Sequence, residues 1–490
     1  MMGDTITMQR GRLFLLLPLL LLALVARPGA ALAQAASAGQ LHYPPIPAQR
    51  IPQPERVVLD NGMVVMLLED HELPLVEATA LVHAGSRLDP AEKTGLADLT
   101  ADVMRSGGTA KLSSDQLDDF LEGKAARIDA QTTDDYGRIS MSSLKADFPQ
   151  VLSVFADVLR HPAFAENRLA VAKNQAMAGV ARQNDDPQDI IFREFKRVAY
   201  GKESPYGRTP TFASLGSIQR ADLVAWHQSH FHPDRIVLGL VGDFKRDEAL
   251  KLVRAAFGDW PRGPGGKDAD VPYRTTPAPG VYYVEKNDVT QSNIVMGGLG
   301  VVRNSPEYYA LEVVNQVLSG SFASRLFGIR SQKGLAYTVF GQVGSEWDHP
   351  GLIFLYISTK TQTTGASIDA LLEEARRMTS APPTEEEVAK GKQALLNSFI
   401  FQADSKRKIL SHQLTYEFFG YPLDWLTRYR AGVEAVTAAQ VRAAAAKYLH
   451  PEQFAIVVVG PAKGTDKPLS TYGTVTPVDV TIARPTPGRQ

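Results

Sequence analysis

The feature that most constrains this chain is a repeat. His232-Pro233-Asp234-Arg235-Ile236-Val237-Leu238-Gly239-Leu240-Val241-Gly242 has a counterpart in His450-Pro451-Glu452-Gln453-Phe454-Ala455-Ile456-Val457-Val458-Val459-Gly460, at a constant offset of 218 residues (232 to 450, 242 to 460). Each copy follows an amphipathic helical pattern and runs into an apolar strand. Solenoid repeats recur every 20–50 residues or so, and this period is far longer, so the pattern marks one domain present twice. With 490 residues the chain also exceeds what a single core organises.

Composition excludes several classes. The chain is 44% hydrophobic and 21% charged, as for an ordinary globular protein, and its net charge is −1. No bulk field favours nucleic acid or an anionic membrane. There is no cysteine, which removes disulfides and thiolate metal sites. At the N-terminus Arg10 and Arg12 precede the apolar run Leu13–Val25, and Ala31-Leu32-Ala33 follows. That order reads as a secretory signal peptide over residues 1–33. The run is short for a membrane span and contains Pro18. No later stretch reaches transmembrane length, so the expectation is an exported protein, periplasmic in a bacterium.

Residues 34–54 are proline-rich and read as an extended lead-in. The first domain is expected at 55–258. It opens with a hairpin at Asp60-Asn61-Gly62, because Asn-Gly between apolar runs is a strong turn signal. Helices are predicted over Gly95–Met104, Ser113–Lys124, Phe148–Leu159, Glu166–Arg182, Gln188–Tyr200 and Ser217–Phe231, and strands over Val76–Val82, two stretches of Ala126–Leu144, and Arg235–Val241. The Pro/Gly-dense stretch 259–280 reads as a flexible linker. The second domain is expected at 281–462, with a strand over Leu335–Phe340 and a capping box at Thr384 and Glu387. Residues 463–490 read as a loose tail. Hairpins mixed with amphipathic helices give an α+β fold: two homologous domains, each a mixed, antiparallel-rich sheet with helices packed on one face.

The stretch Ser324–Tyr337, SRLFGIRSQKGLAY, carries the chemistry. Ser324–Gln332 reads as a helix ended by Lys333-Gly334, since glycine tolerates the left-handed C-cap. Arg330 falls near the helix end and Tyr337 on the strand beyond. A guanidinium and a phenol held this way are able to face one carbonyl oxygen, a device for stabilising an oxyanion. Spacing alone is better met by a solvated arginine and a half-buried tyrosine. The only histidine cluster, His227-x-x-His230-x-His232, reads as a helix face running into a turn. The other histidines, including His83 and His349, are scattered without ligand spacing.

SRLFGIRSQKGLAY resembles the signature of the C-terminal half of the pitrilysin/insulinase-like zinc peptidases and the mitochondrial-processing-peptidase-like proteins. The resemblance extends over about residues 55–462. It implies that Arg330 and Tyr337 bind the substrate carbonyl opposite a zinc ion. It also locates the family's zinc helix, G-L-A-H-x-x-E-H after a G-S-x-x-D-P loop. Here the loop is Gly85-Ser86-Arg87-Leu88-Asp89-Pro90 and the helix reads Gly95-Leu96-Ala97-Asp98-Leu99-Thr100-Ala101-Asp102. Asp98 and Asp102 stand at the two histidine positions and Ala101 at the general base. Before Asp185-Asp186-Pro187, Ala178 and Gly179 stand at the third ligand, a glutamate in the family. Asp129-Ala130-Gln131-Thr132 replaces an N-A-x-T strand, and Ser204-Pro205-Tyr206-Gly207 matches an h-P-Y-G turn. Two aspartates one turn apart suit a hard cation, but no neighbouring residue in the sequence completes a ligand set.

The resemblance implies a non-catalytic subunit. It would bind no cofactor itself, its partner would be a homologous chain bearing H-x-x-E-H and the zinc, and its substrate a peptide or unfolded protein. The alternative is an inactive homologue acting as a peptide-binding or scaffold protein.

Overall fold

The computed structural model describes residues 51–266, 268 and 270–483. The segment read as a signal peptide and all but the last residues of the lead-in lie outside the described residues. The Asn-Gly turn closes as expected: Gly62 takes φ +91 and its N–H donates to the Leu59 carbonyl at 2.9 Å. Strand β1 (Glu55–Val58) therefore folds back antiparallel on β2 (Val64–Glu69). The Asn61 amide fastens the turn to the carbonyls of Phe257 (2.7 Å) and Trp260 (3.2 Å).

The first sheet adds β3 (Leu75–Val82), β4 (Arg127–Thr132), β5 (Gly137–Leu144) and β6 (Ile236–Gly242), in the order β1-β2-β6-β3-β5-β4. The second half supplies β7 (Gly280–Glu285), β8 (Gln291–Leu299), β9 (Val301–Val302), β10 (Thr338–Val343), β11 (Ser345–Glu346), β12 (Leu352–Lys360), β13 (Ala455–Gly460) and β14 (Val475–Pro477). Its main sheet runs β10-β12-β8-β13-β7-β14, and β9 pairs with β11 apart from it. The repeat found in the sequence is the repeat of the fold. Strand β6 lies parallel to β2 and antiparallel to β3, and β13 lies parallel to β7 and antiparallel to β8.

The two repeat strands are buried along their whole length, so each needs cover on both faces. One face of each sheet packs on helices of its own half. The other face is covered by a helix from the opposite half, in addition to the expected layer on one face. Helix Pro187–Tyr200 sets Ile190, Ile191 and Phe195 against Val284, Val295, Tyr356, Val457 and Val459 of the second sheet. Helix Lys406–Phe419 lies across β6, and Leu414 comes so close that a Cβ on Gly239 would sit 2.7 Å from its Cδ1. Arg56–Glu417 (2.8 Å) and Arg407–Glu77 (2.7 Å) hold that helix at its rim.

Other boundaries move for physical reasons. The helix read over Ser217–Phe231 starts at Arg220 and ends at His230, and a separate short helix, Phe212–Ser217, precedes it, each with its own capping box. The linker read as flexible is anchored through Asp268, whose carboxylate meets His83 (2.9 Å) and Arg235. Gly263 sits where a Cβ would lie 2.5 Å from the His232 ring, so its lack of a side chain serves close packing. The tail read as loose supplies β14, which covers the edge of β7 with Val475 opposite Val281, as an exposed strand edge requires. Asp466 in that tail accepts from the N–H groups of Gly365 (2.6 Å) and Ala366 (2.9 Å), capping helix Thr364–Ser380. Among the described residues no helix is long and apolar enough to cross a membrane.

Replacing Phe195 by Ala removes a fully buried ring and is expected to cost about 3–5 kcal/mol. Because Phe195 packs on the other half's sheet, amide exchange should accelerate in β13 as well as in helix Pro187–Tyr200. Acceleration confined to the helix would contradict the crossed packing.

Candidate functional site

Helix Leu96–Ser106 starts where Gly95 takes φ +103. Its first N–H groups are held by buried Asp89, which accepts from Gly95 at 2.7 Å and Ala97 at 2.9 Å. Burial pushes the Asp89 carboxyl up to about 7 despite those bonds. The aspartate of the G-S-R-L-D-P loop is thus a helix cap. Leu96, Ala97, Leu99, Thr100, Ala101, Val103 and Met104 turn inward.

Asp98 and Asp102 are exposed, one turn apart. Water reaches Asp98, but protein surrounds it closely enough to push its carboxyl up to about 6, and the charge of Asp134 adds to this. Asp102 is raised by burial alone. Helix Glu166–Arg182 packs alongside and presents Ala178 and Gly179, both exposed, with nothing within 4 Å of a Cβ built on Gly179. These residues do not fit zinc: there is no imidazole, Ala101 brings no base, and Gly179 offers no side chain where a third ligand would stand.

Arg330 lies in the last turn of helix Arg325–Ser331, which Leu326 and Ile329 anchor in the core. Gly334 takes the expected left-handed φ, +63. The strand begins at Thr338 and not at Leu335, because the Leu335 carbonyl is taken by the Thr359 hydroxyl at 2.6 Å. Tyr337 therefore stands just before β10, and it is 73% exposed, not half-buried. The two arginines of this helix differ in kind. Arg325 is locked, donating to Glu387 at 2.8 and 2.9 Å and to the carbonyls of Arg377 (3.1 Å) and Ala381 (3.0 Å). Arg330 and the Tyr337 hydroxyl have no hydrogen bond or ion pair among the described residues. The Arg330 guanidinium rests 5.8 Å from the Phe327 ring centre, and Phe327 meets the 85% exposed Phe322 edge to face.

The histidine cluster is structural. His227 bonds the Leu159 carbonyl at 2.8 Å and the His230 ring packs tilted against Trp226; burial pushes both imidazoles down to about 4. One scattered histidine acquires partners that spacing did not reveal. Among the described residues, Asp135, Asp348 and His349 are the one group of three whose ligand atoms converge, all within 4.8 Å. Arg87 occupies the place a cation would need, bonding Asp135 at 3.3 Å as well as Asp348. This is an ion-pair network joining the two halves. Residues 214 positions apart (135 to 349) leave no local signal of it.

Two family models match: Insulinase (Peptidase family M16) over residues 64–209 and the Peptidase M16 inactive domain over residues 217–395. The chain is 23% identical over 410 residues to an uncharacterized zinc protease, YmxG of Bacillus subtilis, covering 83% of this chain and 98% of that one. It is 26% identical over 366 residues to the non-peptidase homolog YmxG of Helicobacter pylori, covering 74% and 83%. A solved peptidase M16 inactive domain from Pseudomonas fluorescens superimposes with a TM-score of 0.76 at 25% identity, over 84% of this chain and 99% of that one. The chain belongs to the insulinase (M16) family, and its two mixed sheets with their helices are the fold of that family.

The Asp98 shift carries a sign. A carboxyl raised from 3.8 to about 6 disfavours the folded state once ionised. Asp98→Asn should therefore raise the unfolding temperature at pH 7.5, and the gain should fade as the pH drops through about 6 toward 4. Equal gain at every pH would contradict the charged, crowded setting assigned to Asp98.

Proposed function

We propose that this chain is an exported, non-catalytic subunit of a zinc endopeptidase, supplying Arg330 and Tyr337 to the zinc site of a homologous partner that carries H-x-x-E-H. The observation that carries this reading is the contrast between its two degenerate and retained motifs. Asp98, Ala101, Asp102 and Gly179 offer no zinc site, while Arg330 and Tyr337 are exposed and unengaged on an anchored helix and the lead-in to a strand. Arg330 would position the scissile carbonyl of a peptide or unfolded protein. The Tyr337 hydroxyl would donate to the oxygen as the carbonyl becomes tetrahedral, and the partner would supply metal and base. Export rests on the basic and apolar N-terminal pattern, with the periplasm as the destination.

The test is a mixture of this chain with an exported homologue bearing the intact motif, assayed on an unstructured peptide. Activity is expected only in the mixture, with no stoichiometric zinc in this chain alone. Tyr337→Phe should lower turnover about 100–1000-fold, the usual cost of one oxyanion donor, with peptide affinity unchanged. Full turnover by the Phe variant would remove Tyr337 from the mechanism. A second reading, an inactive peptide-binding or scaffold protein, draws on the non-peptidase name of the Helicobacter pylori relative. It predicts a mixture indifferent to both residues.

A further inference from the structure

The loop between β11 and β12 reaches from the second half into the first. Tyr200 donates its hydroxyl to the Pro350 carbonyl at 2.8 Å, and His349, 6% exposed, stacks on Tyr206 with ring centres 3.9 Å apart. Arg87 bonds Asp348 and lies 3.3 Å from Asp135 and 3.5 Å from Asp268. Asp268 is shared with Arg235 and His83. Two motifs the chemistry left unused, the arginine of G-S-R and the tyrosine of S-P-Y-G, thus meet here. The charges do not balance: two guanidinium groups face three carboxylates, of which Asp135 and Asp268 are largely buried and Asp348 is open to solvent on one side. An unpaired charge in such a place costs several kcal/mol unless it is neutralised.

We propose that this junction is a proton-locked clasp: one proton shared among Asp135, Asp348 and His349 completes the charge balance, so the two halves clasp most tightly in mild acid. His349 Nδ1 lies 2.8 Å from Asp348 and 3.9 Å from Asp135, so the proton has a short path among the three. A metal cation is disfavoured there because it would face the Arg87 guanidinium. The other ionisable groups that face the cluster include His83 on Asp268, Asp134, paired with Lys196 at 3.1 Å, Glu346 on β11, and the phenols of Tyr136, Tyr200, Tyr206 and Tyr421, all of which burial raises and keeps neutral. Burial and the neighbouring Asp348 push the Asp135 carboxyl up to about 6, while the bonds of Asp348 to His349 and Arg87 hold it below the usual carboxylate range. A raised carboxyl binds its proton more tightly in the closed form. Its contribution is full in acid and is lost as the pH rises through about 6. The clasp loop follows β11, which comes one residue after β10, the strand that Tyr337 leads into.

The test is amide exchange of the full-length chain, corrected for intrinsic rates, over residues 344–350 and 200–207 between pH 5 and 8. Protection should fall about tenfold between pH 5 and pH 8, the part of the roughly hundredfold allowed by a two-unit shift that lies within this range. Asp135→Asn, which keeps the shape without the charge, should hold high protection at both ends. His349→Gln serves as the second variant, expected to lower protection at pH 5 toward its pH 8 level. Protection independent of pH in the natural chain, or an Asp135→Asn chain as pH-sensitive as the natural one, would overturn the clasp. So would protection at pH 8 that rises with added zinc and falls with chelator, since that would make the cluster a metal site.

Discussion

The structure depends on two strands that are buried on both faces. Strands β6 and β13 are apolar along their whole length, and a duplicated half covers only one side of its own sheet. The remaining side is covered by exchange: helix Pro187–Tyr200 goes to the second sheet and helix Lys406–Phe419 to the first. Apolar burial of this kind contributes about 25 cal/mol per Å², and here it can be gained only when both halves are folded together. The duplication and the joining of the halves are thus one physical fact.

That joining gives the candidate site its rigid frame. The degenerate zinc helix is still capped by Asp89, still packed on β4, and still flanked by helix Glu166–Arg182. Three of the positions that differ from the family pattern lie on the exposed face, where Asp98 and Asp102 project and Gly179 leaves open space. Exposed positions are free to change because nothing packs on them. Ala101 faces inward, where a small apolar residue fits the core. In the second half the same reasoning separates Arg325, spent on Glu387 and two carbonyls, from Arg330, which is spent on nothing polar.

The sequence disclosed what short-range physics controls. The Asn-Gly hairpin, the Thr384 cap, the left-handed Gly334 and the 218-residue repeat were all legible, because turn chemistry and periodicity are local. The motif around Arg330 and Tyr337 was legible through its likeness to a family. What stayed hidden was long-range. Helix Pro187–Tyr200 carries a strong apolar stripe, yet nothing in that stripe says which sheet it covers. Proline and glycine density in 259–280 read as slack, because the anchoring lies in one carboxylate, Asp268, whose partners His83 and Arg235 are far away in the chain. The tail read as loose for the same reason: β14 is three residues long, and its worth lies in the unpaired edge it covers.

The cluster at Arg87, Asp135, Asp348 and His349 shows why charge is harder to read than hydrophobicity. An apolar residue needs only an interior, and any interior will serve. A buried charge needs particular partners at particular distances, and two loops from opposite halves supply them here. Arg87 stands in a loop whose Asp89 caps the degenerate zinc helix, and Asp348 and His349 stand in the loop that leaves the strand behind Tyr337. The same few residues therefore tie the region of the zinc helix to the region of Arg330 and Tyr337.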